Sequence, residues 1–232
     1  MIRVVAFDGD DTLWHNETIF SMSQERFEEM LAPYVDPKDL HARMLETERR
    51  NVEIFGYGIK GFTLSMIETA IEVTEGRVTA AELRALLELG KGMLAHPTEL
   101  LEGAREAIVE VAETARVVLI TKGDLFDQES KLARSGLGEL FEKVEIVSEK
   151  DDARYRRVLR DLDVAAEEFV MVGNSMRSDV LPVVRIGGRA VHVPYHVTWA
   201  LEEVDPAEVP EGAWWRIERL DELPALLSSV EG

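Results

Sequence analysis

Cysteine is absent from this chain of 232 residues. Its absence excludes disulfide bonds, thiolate nucleophiles and cysteine-based metal sites. Long apolar runs are also lacking, and none approaches the roughly 20 residues that a membrane-spanning helix needs. The first residues show no basic region followed by an apolar stretch and a cleavage site, so we expect no secretory signal and a cytoplasmic protein.

Basic residues are scarce: 26 Lys and Arg stand against 45 Asp and Glu, a net charge of -19. The negative electrostatic potential of such a chain repels nucleic acid and anionic membrane surfaces, so we expect neither as a partner. An anionic small molecule binds such a protein only where local cations reverse the potential. The hydrophobic fraction of 46% is ordinary for a globular protein and sufficient for a sizeable core.

The most informative stretch lies at the start of the chain. Residues 2–7 are apolar apart from Arg3, which is typical of a strand buried on both faces of a parallel sheet. Asp8, Asp10 and Asp11 follow at once. Carboxylates this close repel one another beside an apolar core, so we expect a cation there. A plain polar turn is the alternative, since Asp and Gly are common turn residues.

Helical patterns fill residues 15–97. Asp36 and Pro37 have the types expected at a helix N-cap and first position, and Thr79 to Glu82 fits a capping box. A glycine-rich interruption at 56–61 precedes an apolar helix over 62–73, whose apolar residues are Leu64, Ile67, Ala70 and Ile71. This segment is expected to form an all-helical domain.

Strand and helix patterns alternate after residue 98, with strands predicted at 116–121, 144–147, 169–172 and 190–193. Such alternation predicts an α/β fold, a doubly wound, Rossmann-like parallel sheet. We therefore expect a core of residues 1–14 and 98–232, with the helical domain of 15–97 inserted after the first strand. In such sheets, ligands bind beyond the carboxyl ends of the strands. Polar residues stand there in four clusters: Asp8 and Asp10, Thr121 and Lys122, Ser148 to Lys150, and Gly173 to Asp179.

These clusters carry a family resemblance. Phe-Asp-Gly-Asp-Asp-Thr-Leu at 7–13 resembles the first motif, Asp-x-Asp-x-Thr, of the haloacid dehalogenase-like (HAD) hydrolase superfamily. Leu-Ile-Thr-Lys-Gly at 119–123 resembles the second motif, Lys150 the third, and Val-Gly-Asn-Ser-Met-Arg-Ser-Asp at 172–179 the fourth. All four motifs stand in the family's order, which is a far more specific signal than any one of them.

The resemblance implies a role for each residue. Asp8 would attack a phosphoryl group and become an aspartyl-phosphate, and Asp10 would act as general acid and base. Thr121, the backbone amide of Lys122 and the ammonium of Lys150 would hold the phosphoryl oxygens. Without the other motifs, Thr121 and Lys150 would be ordinary surface or strand-end residues.

A metal ion is implied as well. Mg²⁺ would be bound by the Asp8 side chain, the Asp10 main-chain carbonyl, and a fourth-motif side chain, Asn174 or Asp179. Asn174 departs from the aspartate that is common in the family. An amide oxygen binds Mg²⁺ but brings no charge.

The helical insertion resembles the cap of one large subclass, which closes over the phosphate site and selects the substrate. Lys60, in the glycine-rich stretch, is the predicted cation for a second anionic group. The alternative is a plain inter-helix turn with a solvated lysine.

The expected protein is thus a Mg²⁺-dependent phosphatase that acts on a small-molecule phosphate ester. Three alternatives stay open: a sugar phosphomutase, a metal-free 2-haloacid dehalogenase, and a non-catalytic protein that binds phosphorylated metabolites. The dehalogenases of the family lack the second aspartate of the first motif, because a halide leaving group needs no proton. The presence of Asp10 therefore favours phosphoryl chemistry.

Overall fold

Six strands form one sheet in which all described pairs of neighbours run parallel. The computed structural model describes residues 1–205, 208 and 213–231. Its strands are β1 (Val4–Phe7), β2 (Arg116–Lys122), β3 (Lys143–Val147), β4 (Phe169–Gly173), β5 (Arg189–His192) and β6 (Trp214–Arg216). The strand order is β3-β2-β1-β4-β5-β6. The chain thus starts at a central strand and adds strands first toward one edge and then toward the other, so the predicted doubly wound fold is confirmed. The sequence predicted no strand at β6.

Both faces of the sheet are covered. Along β1, Val5 and Phe7 enter one apolar cluster, and Val4 and Ala6 enter another on the opposite face. The helices of this part of the chain are α5 (Ala104–Val111), α6 (Leu125–Ser135), α7 (Asp152–Leu162), α8 (Leu181–Arg185) and α9 (Leu223–Glu231). Side chains of α5 and α9 join the first cluster, and those of α7 and α8 join the second. Each fully buried Val or Phe contributes about 1.5–3 kcal/mol, which explains why β1 is apolar throughout.

The chain divides into two compact units. The sheet unit comprises Met1–Glu17, Thr98–Lys122 and Gln128–Gly232, and the helical unit comprises Thr18–Pro97 and Gly123–Asp127. The sequence predicts an inserted domain at residues 15–97, and the helical unit contains a short segment after β2 in addition to Thr18–Pro97.

Four helices make up the helical unit: α1 (Glu17–Leu31), α2 (Pro37–Phe55), α3 (Ile59–Val73) and α4 (Ala80–Ala95). The side chain of Asp36 accepts a hydrogen bond from the N–H of Lys38 at 2.9 Å and caps α2. Thr79 and Glu82 form the predicted capping box of α4. No helix in the described ranges is long and apolar enough to cross a membrane.

The third helix is longer than predicted. It begins at Ile59, because Gly58 adopts a φ of 109° that places the helix start directly after it. Lys60 therefore lies in the first helical turn and not in a loop. Leu64 and Ile71 are exposed, and the buried face carries Phe62, Met66 and Ala70 among others. In a helix with apolar residues on several sides, the neighbours decide which side is buried.

Candidate active site

Side chains from three strand ends meet at the carboxyl edge of the sheet. Lys150 lies in the loop after β3, and its Nζ is 2.5 Å from Oδ1 of Asp8 and 2.7 Å from Oδ1 of Asp179. Asp8 directly follows β1, and Asp179 lies in the segment after β4. All strands of this parallel sheet end on the same side, which brings the three together although β2 lies between β3 and β1. All three are buried, with 7%, 3% and 0% of Asp8, Lys150 and Asp179 exposed.

The charges of this cluster do not balance. With both acids ionised, two carboxylates share one ammonium, which leaves one net negative charge in a buried site. Burial raises the pKa of Asp8 to about 7; the Lys150 charge opposes this rise and the Asp179 charge adds to it. Burial disfavours the charged form of Lys150, but the carboxylates of Asp179 and Asp8 outweigh it and raise the pKa of the ammonium. A further cation would therefore be stabilised here.

Thr12 connects the first and fourth motifs. Its hydroxyl oxygen lies 3.4 Å from Oδ2 of Asp8 and 3.4 Å from Oδ1 of Asn174, and it accepts the N–H of Asn174 at 3.0 Å. His192, at the end of β5, donates from Nε2 to the carbonyl of Asn174 at 2.9 Å. Burial lowers the pKa of His192 and favours its neutral form. A carboxylate oxygen and an amide oxygen thus approach the same hydroxyl.

The carboxylate of Asp10 is surrounded by N–H donors. Trp14 Nε1 lies 2.7 Å from Oδ1, Gln128 Nε2 lies 2.8 Å from Oδ2, and Lys131 Nζ lies 3.0 and 3.1 Å from the two oxygens. None of these three donors was predicted from the sequence as a site residue. The spacing of Gln128 and Lys131 on α6, one turn apart directly after the second motif, was the signal that could have found two of them.

Trp14 reaches Asp10 because Gly9 has no side chain. A Cβ at Gly9 would lie 2.6 Å from Cζ2 of the indole and 3.1 Å from the hydroxyl oxygen of Thr121. The indole is fully buried in that space. The glycine between the two aspartates is thus required by a close approach of the ring.

The second motif places its two polar residues differently. Thr121 is buried, and its hydroxyl donates to Oε1 of Gln128 at 2.9 Å. The ammonium of Lys122 lies 2.5 Å from Oε1 of Glu202 and 3.1 Å from the hydroxyl of Ser178. The role implied for Lys122 concerns its backbone N–H, and its side chain belongs to another network.

Glu202 organises that network. Its Oε2 accepts from the hydroxyls of Ser175 at 2.5 Å and Ser178 at 2.6 Å, in addition to the contact of Oε1 with Lys122. Burial would raise the pKa of Glu202, but the Lys122 charge and the hydrogen bonds from Lys122, Ser175 and Ser178 together outweigh it and hold that pKa below its usual range. Glu202 lies outside all four motifs, so no sequence pattern predicted it.

The fourth motif contains a π-helical turn over Met176–Val180, after which α8 continues. The N–H groups of Asp179 and Val180 both reach the carbonyl of Ser175. This wide turn directs Asp179 back to the start of the motif, where its Oδ2 accepts the N–H of Ser175 at 3.0 Å. Such turns often occur at functional sites.

Asp11 has a structural task. Its carboxylate accepts the N–H groups of Asn16 and Glu17, both at 2.9 Å, and so supports the start of α1. It adopts a φ of 60°, which aspartate tolerates better than most residues. Burial raises the pKa of Asp11 to about 7, although these N–H groups oppose the rise.

Lys60 belongs to the helical unit. Its ammonium lies 2.8 Å from Oδ1 of Asp124 and 5.4 Å from the centre of the Phe126 ring, and about half of its side chain is exposed. Both contacts are internal to that unit.

The donor set at the sheet edge fits a hard cation such as Mg²⁺ in its chemistry. Oxygen atoms of Asp8 and Asn174 converge on Thr12, and the cluster carries excess negative charge. Asp179 already has Lys150 on one oxygen and the N–H of Ser175 on the other. In the described part of the chain, no three His, Cys, Asp or Glu side chains are grouped so as to hold a metal. The site therefore needs carbonyl, amide and water oxygens as well.

Comparison with known proteins agrees with this geometry. The family model described as haloacid dehalogenase-like hydrolase matches residues 2–187. A crystal structure of a haloacid dehalogenase-like family hydrolase from Xanthomonas campestris is 45% identical, with a TM-score of 0.89, and the match covers 99% of this chain and 91% of that one. A glyceraldehyde 3-phosphate phosphatase from Pyrococcus abyssi is 24% identical over 202 residues, 84% of this chain and 82% of that protein. A 2-haloacid dehalogenase from Pseudomonas syringae is 21% identical, with a TM-score of 0.64 and coverages of 99% and 100%, which shows a shared fold.

The chain belongs to the haloacid dehalogenase-like hydrolase family. It is a hydrolase of that family, and the expected membership is confirmed.

Proposed function

We propose that this protein is a Mg²⁺-dependent phosphatase that hydrolyses a small organic phosphomonoester through a covalent intermediate on Asp8. One observation carries the proposal: Asp8 contacts Lys150 at 2.5 Å, and Asp10, two residues later, is held by N–H donors at the same sheet edge. A nucleophile, an adjacent cation and an acid/base group are what phosphoryl transfer through an aspartyl-phosphate requires.

In the first half-reaction, a carboxylate oxygen of Asp8 attacks the phosphorus, and the bond from phosphorus to the leaving oxygen breaks. Protonated Asp10 gives its proton to that oxygen, so the products are an alcohol and the aspartyl-phosphate. Lys150, Thr121 and the N–H of Lys122 stabilise the phosphoryl oxygens. A hydroxyl rotates freely, so Thr121 exchanges Gln128 for a phosphoryl oxygen when substrate binds.

In the second half-reaction, Asp10 is a carboxylate and accepts a proton from water. The oxygen of that water attacks the phosphorus, and the bond between phosphorus and the Asp8 oxygen breaks. The products are inorganic phosphate and the free carboxylate of Asp8, with Asp10 protonated again for the next cycle.

Asp8, the main-chain carbonyl of Asp10, and Asn174 would hold Mg²⁺. Asn174 is preferred over Asp179, because both oxygens of Asp179 are engaged by Lys150 and a backbone N–H. When bound, Mg²⁺ supplies the positive charge that lets a carboxylate approach an anionic phosphoryl group. The net negative charge of the buried cluster supports this assignment.

Phosphatase chemistry is favoured over metal-free dehalogenation for two reasons. A halide leaves without a proton, so a dehalogenase has no use for the carboxylate that Asp10 provides. The similarity to a glyceraldehyde 3-phosphate phosphatase, at 24% identity over 202 residues, points in the same direction.

The helical unit is proposed to select the substrate, because it occupies the place in the chain where one subclass of the family inserts its cap. Lys60 is the proposed contact for a second anionic group. Its ion pair with Asp124 is half exposed, and such surface pairs contribute only about 0–1 kcal/mol, so an anionic ligand competes readily for the ammonium.

The test is phosphate release from 4-nitrophenyl phosphate with Mg²⁺ and with a chelator. Asp8→Asn should abolish turnover while the thermal unfolding transition stays cooperative, and the chelator should abolish turnover of the unmodified protein. Asp161→Asn is the matched control, since it removes an exposed carboxylate 3.9 Å from Arg157 on α7. Undiminished turnover by Asp8→Asn, or release of halide from a 2-haloacid in the presence of chelator, would contradict the proposal.

A further inference from the structure

Two side chains of α6 approach Asp10, and no catalytic role has been assigned to either. Lys131 donates to both carboxylate oxygens at 3.0 and 3.1 Å, and Gln128 donates to Oδ2 at 2.8 Å. They stand one helical turn apart, so both point to the same side of the helix. With the indole of Trp14 on Oδ1, the carboxylate is held from three directions.

Lys131 is not a solvated surface lysine. Only 6% of it is exposed, and its ammonium also donates to Oδ1 of Asn16 at 2.7 Å. Burying a lysine costs free energy unless charged and polar partners surround it. Here the partners are the carboxylate of Asp10 and the side-chain amide oxygen of Asn16. Asn16 lies four residues after Thr12, the threonine of the first motif.

Gln128 joins two parts of the site. Its Nε2 donates to Asp10, and its Oε1 accepts the hydroxyl of Thr121 at 2.9 Å. One amide thus links the acid/base carboxylate with a hydroxyl assigned to the phosphoryl group. Its side chain is 2% exposed, so solvent does not compete strongly for these bonds.

We propose that Lys131 and Gln128 are positioning residues that hold the Asp10 carboxylate in the single orientation needed for proton transfer to the leaving oxygen. The inference rests on the proposed phosphatase activity and extends it to α6. Proton transfer requires the acid within hydrogen-bond reach of the leaving oxygen, so a displaced Asp10 penalises poor leaving groups most.

A series of substituted phenyl phosphates tests this, because its members share a shape and differ in the pKa of the leaving phenol. Lys131→Met should lower kcat/KM, which reports the step that expels the leaving group, about tenfold or more for the poorest leaving group and much less for 4-nitrophenol, within the 10²–10⁴-fold range of acid–base catalysis. The dependence of log(kcat/KM) on leaving-group pKa should therefore become steeper. Lys143→Met is the control: it removes a lysine–carboxylate contact of 2.8 Å at the amino end of β3, and it should leave the slope unchanged.

Gln128→Met is the second variant, and it keeps the test valid if Lys131→Met does not fold. It should steepen the same dependence to a smaller extent, because Lys131 and Trp14 still contact Asp10. In an Asp10→Asn background, Lys131→Met should change the rate with 4-nitrophenyl phosphate by less than about twofold, since the group that it positions is gone.

The outcomes separate the two proposals. If the unmodified protein releases no phosphate from the series, both the phosphatase assignment and the role of α6 fail. If it does, but Lys131→Met and Gln128→Met lower kcat/KM equally for all members of the series or not at all, the positioning role alone is wrong. A crystal structure of Lys131→Met gives an independent readout: an unchanged Asp10 side-chain rotamer would contradict the proposal, and a rotated one would support it.

Discussion

The ammonium of Lys150 bridges two buried carboxylates, 2.5 Å from Asp8 and 2.7 Å from Asp179. The first carboxylate follows the central strand, and the second comes from the π-helical turn of the fourth motif. The single positive charge of Lys150 stabilises both carboxylates. Without it, Asp8 and Asp179 would lie close together in a buried site with no compensating charge. The stability of the fold and the proposed chemistry therefore depend on the same side chain.

Lys150→Met should destabilise the protein strongly at neutral pH. Removal of one partner from a buried ion pair leaves an uncompensated charge and typically costs about 3–5 kcal/mol. The loss should be smaller at about pH 5, where Asp8, whose pKa burial raises to about 7, takes up a proton. Urea unfolding at both pH values measures the effect, with Lys143→Met as control because its ion pair with Glu145 is partly exposed. An equal loss at both pH values would show that charge is not the cause.

Asp8 should make the metal-free protein less stable as the pH rises from about 4 to about 7. Its pKa in the folded protein is raised to about 7 from an ordinary 3.8, chiefly by burial. Within this window the folded protein keeps a proton that the unfolded chain has released, so the free energy of unfolding falls with increasing pH. Asp8→Asn should flatten this dependence and, in chelator at pH 8, raise the free energy of unfolding by at least about 1 kcal/mol, the equivalent of one pKa unit. A variant less stable than the parent there would contradict the prediction.

Gly9→Ala should impair both folding and turnover. The new Cβ would lie 2.6 Å from the buried indole of Trp14, and such overpacking costs about 1–3 kcal/mol. A displaced indole would also release its hydrogen bond to Asp10. Gly92→Ala in α4 is the matched control: nothing lies within 4 Å of the added Cβ, and we expect about 0.4–1 kcal/mol of stabilisation. Equal effects of the two substitutions on thermal unfolding would exclude the steric explanation.

Lys60→Met should weaken binding of substrates that carry a second anionic group. We expect KM to rise several-fold for such esters, while kcat changes little, because the contact is present in the bound substrate and in the transition state alike. KM for 4-nitrophenyl phosphate, which has no second anion, should stay the same. The matched control is Lys91→Met, which removes a similar exposed pair with Glu88 at 2.8 Å. A fall in kcat without a change in KM would rule out this role.

Much of the fold can be predicted from the sequence. The apolar run before Asp8 predicts a buried central strand, and Asp36, Thr79 and Glu82 predict helix starts that the structure contains. These signals succeed because they are local: a cap or a buried strand is specified by residues within a few positions of one another. The four motifs likewise stand at strand ends and indicate the family.

Tertiary structure decided what lies around those motifs. Gln128 and Lys131 look like ordinary polar residues of a charged helix, and Glu202 lies in the C-terminal part of the chain without any motif. Packing of α6 brings the first two to Asp10, and the segment after β5 brings Glu202 to Lys122. Likewise, packing against neighbouring helices decides which side of α3 is buried.

By itself, then, the sequence determined the order of elements, the family and the positions of the reactive carboxylates, since each depends on residue type and short-range spacing. The side chains of α6 that hold Asp10 were decided only by the folded chain, because their contacts join residues more than a hundred positions apart, such as Asp10 and Lys131. No local propensity encodes such contacts, and they arise only when the sheet order and helix packing are complete.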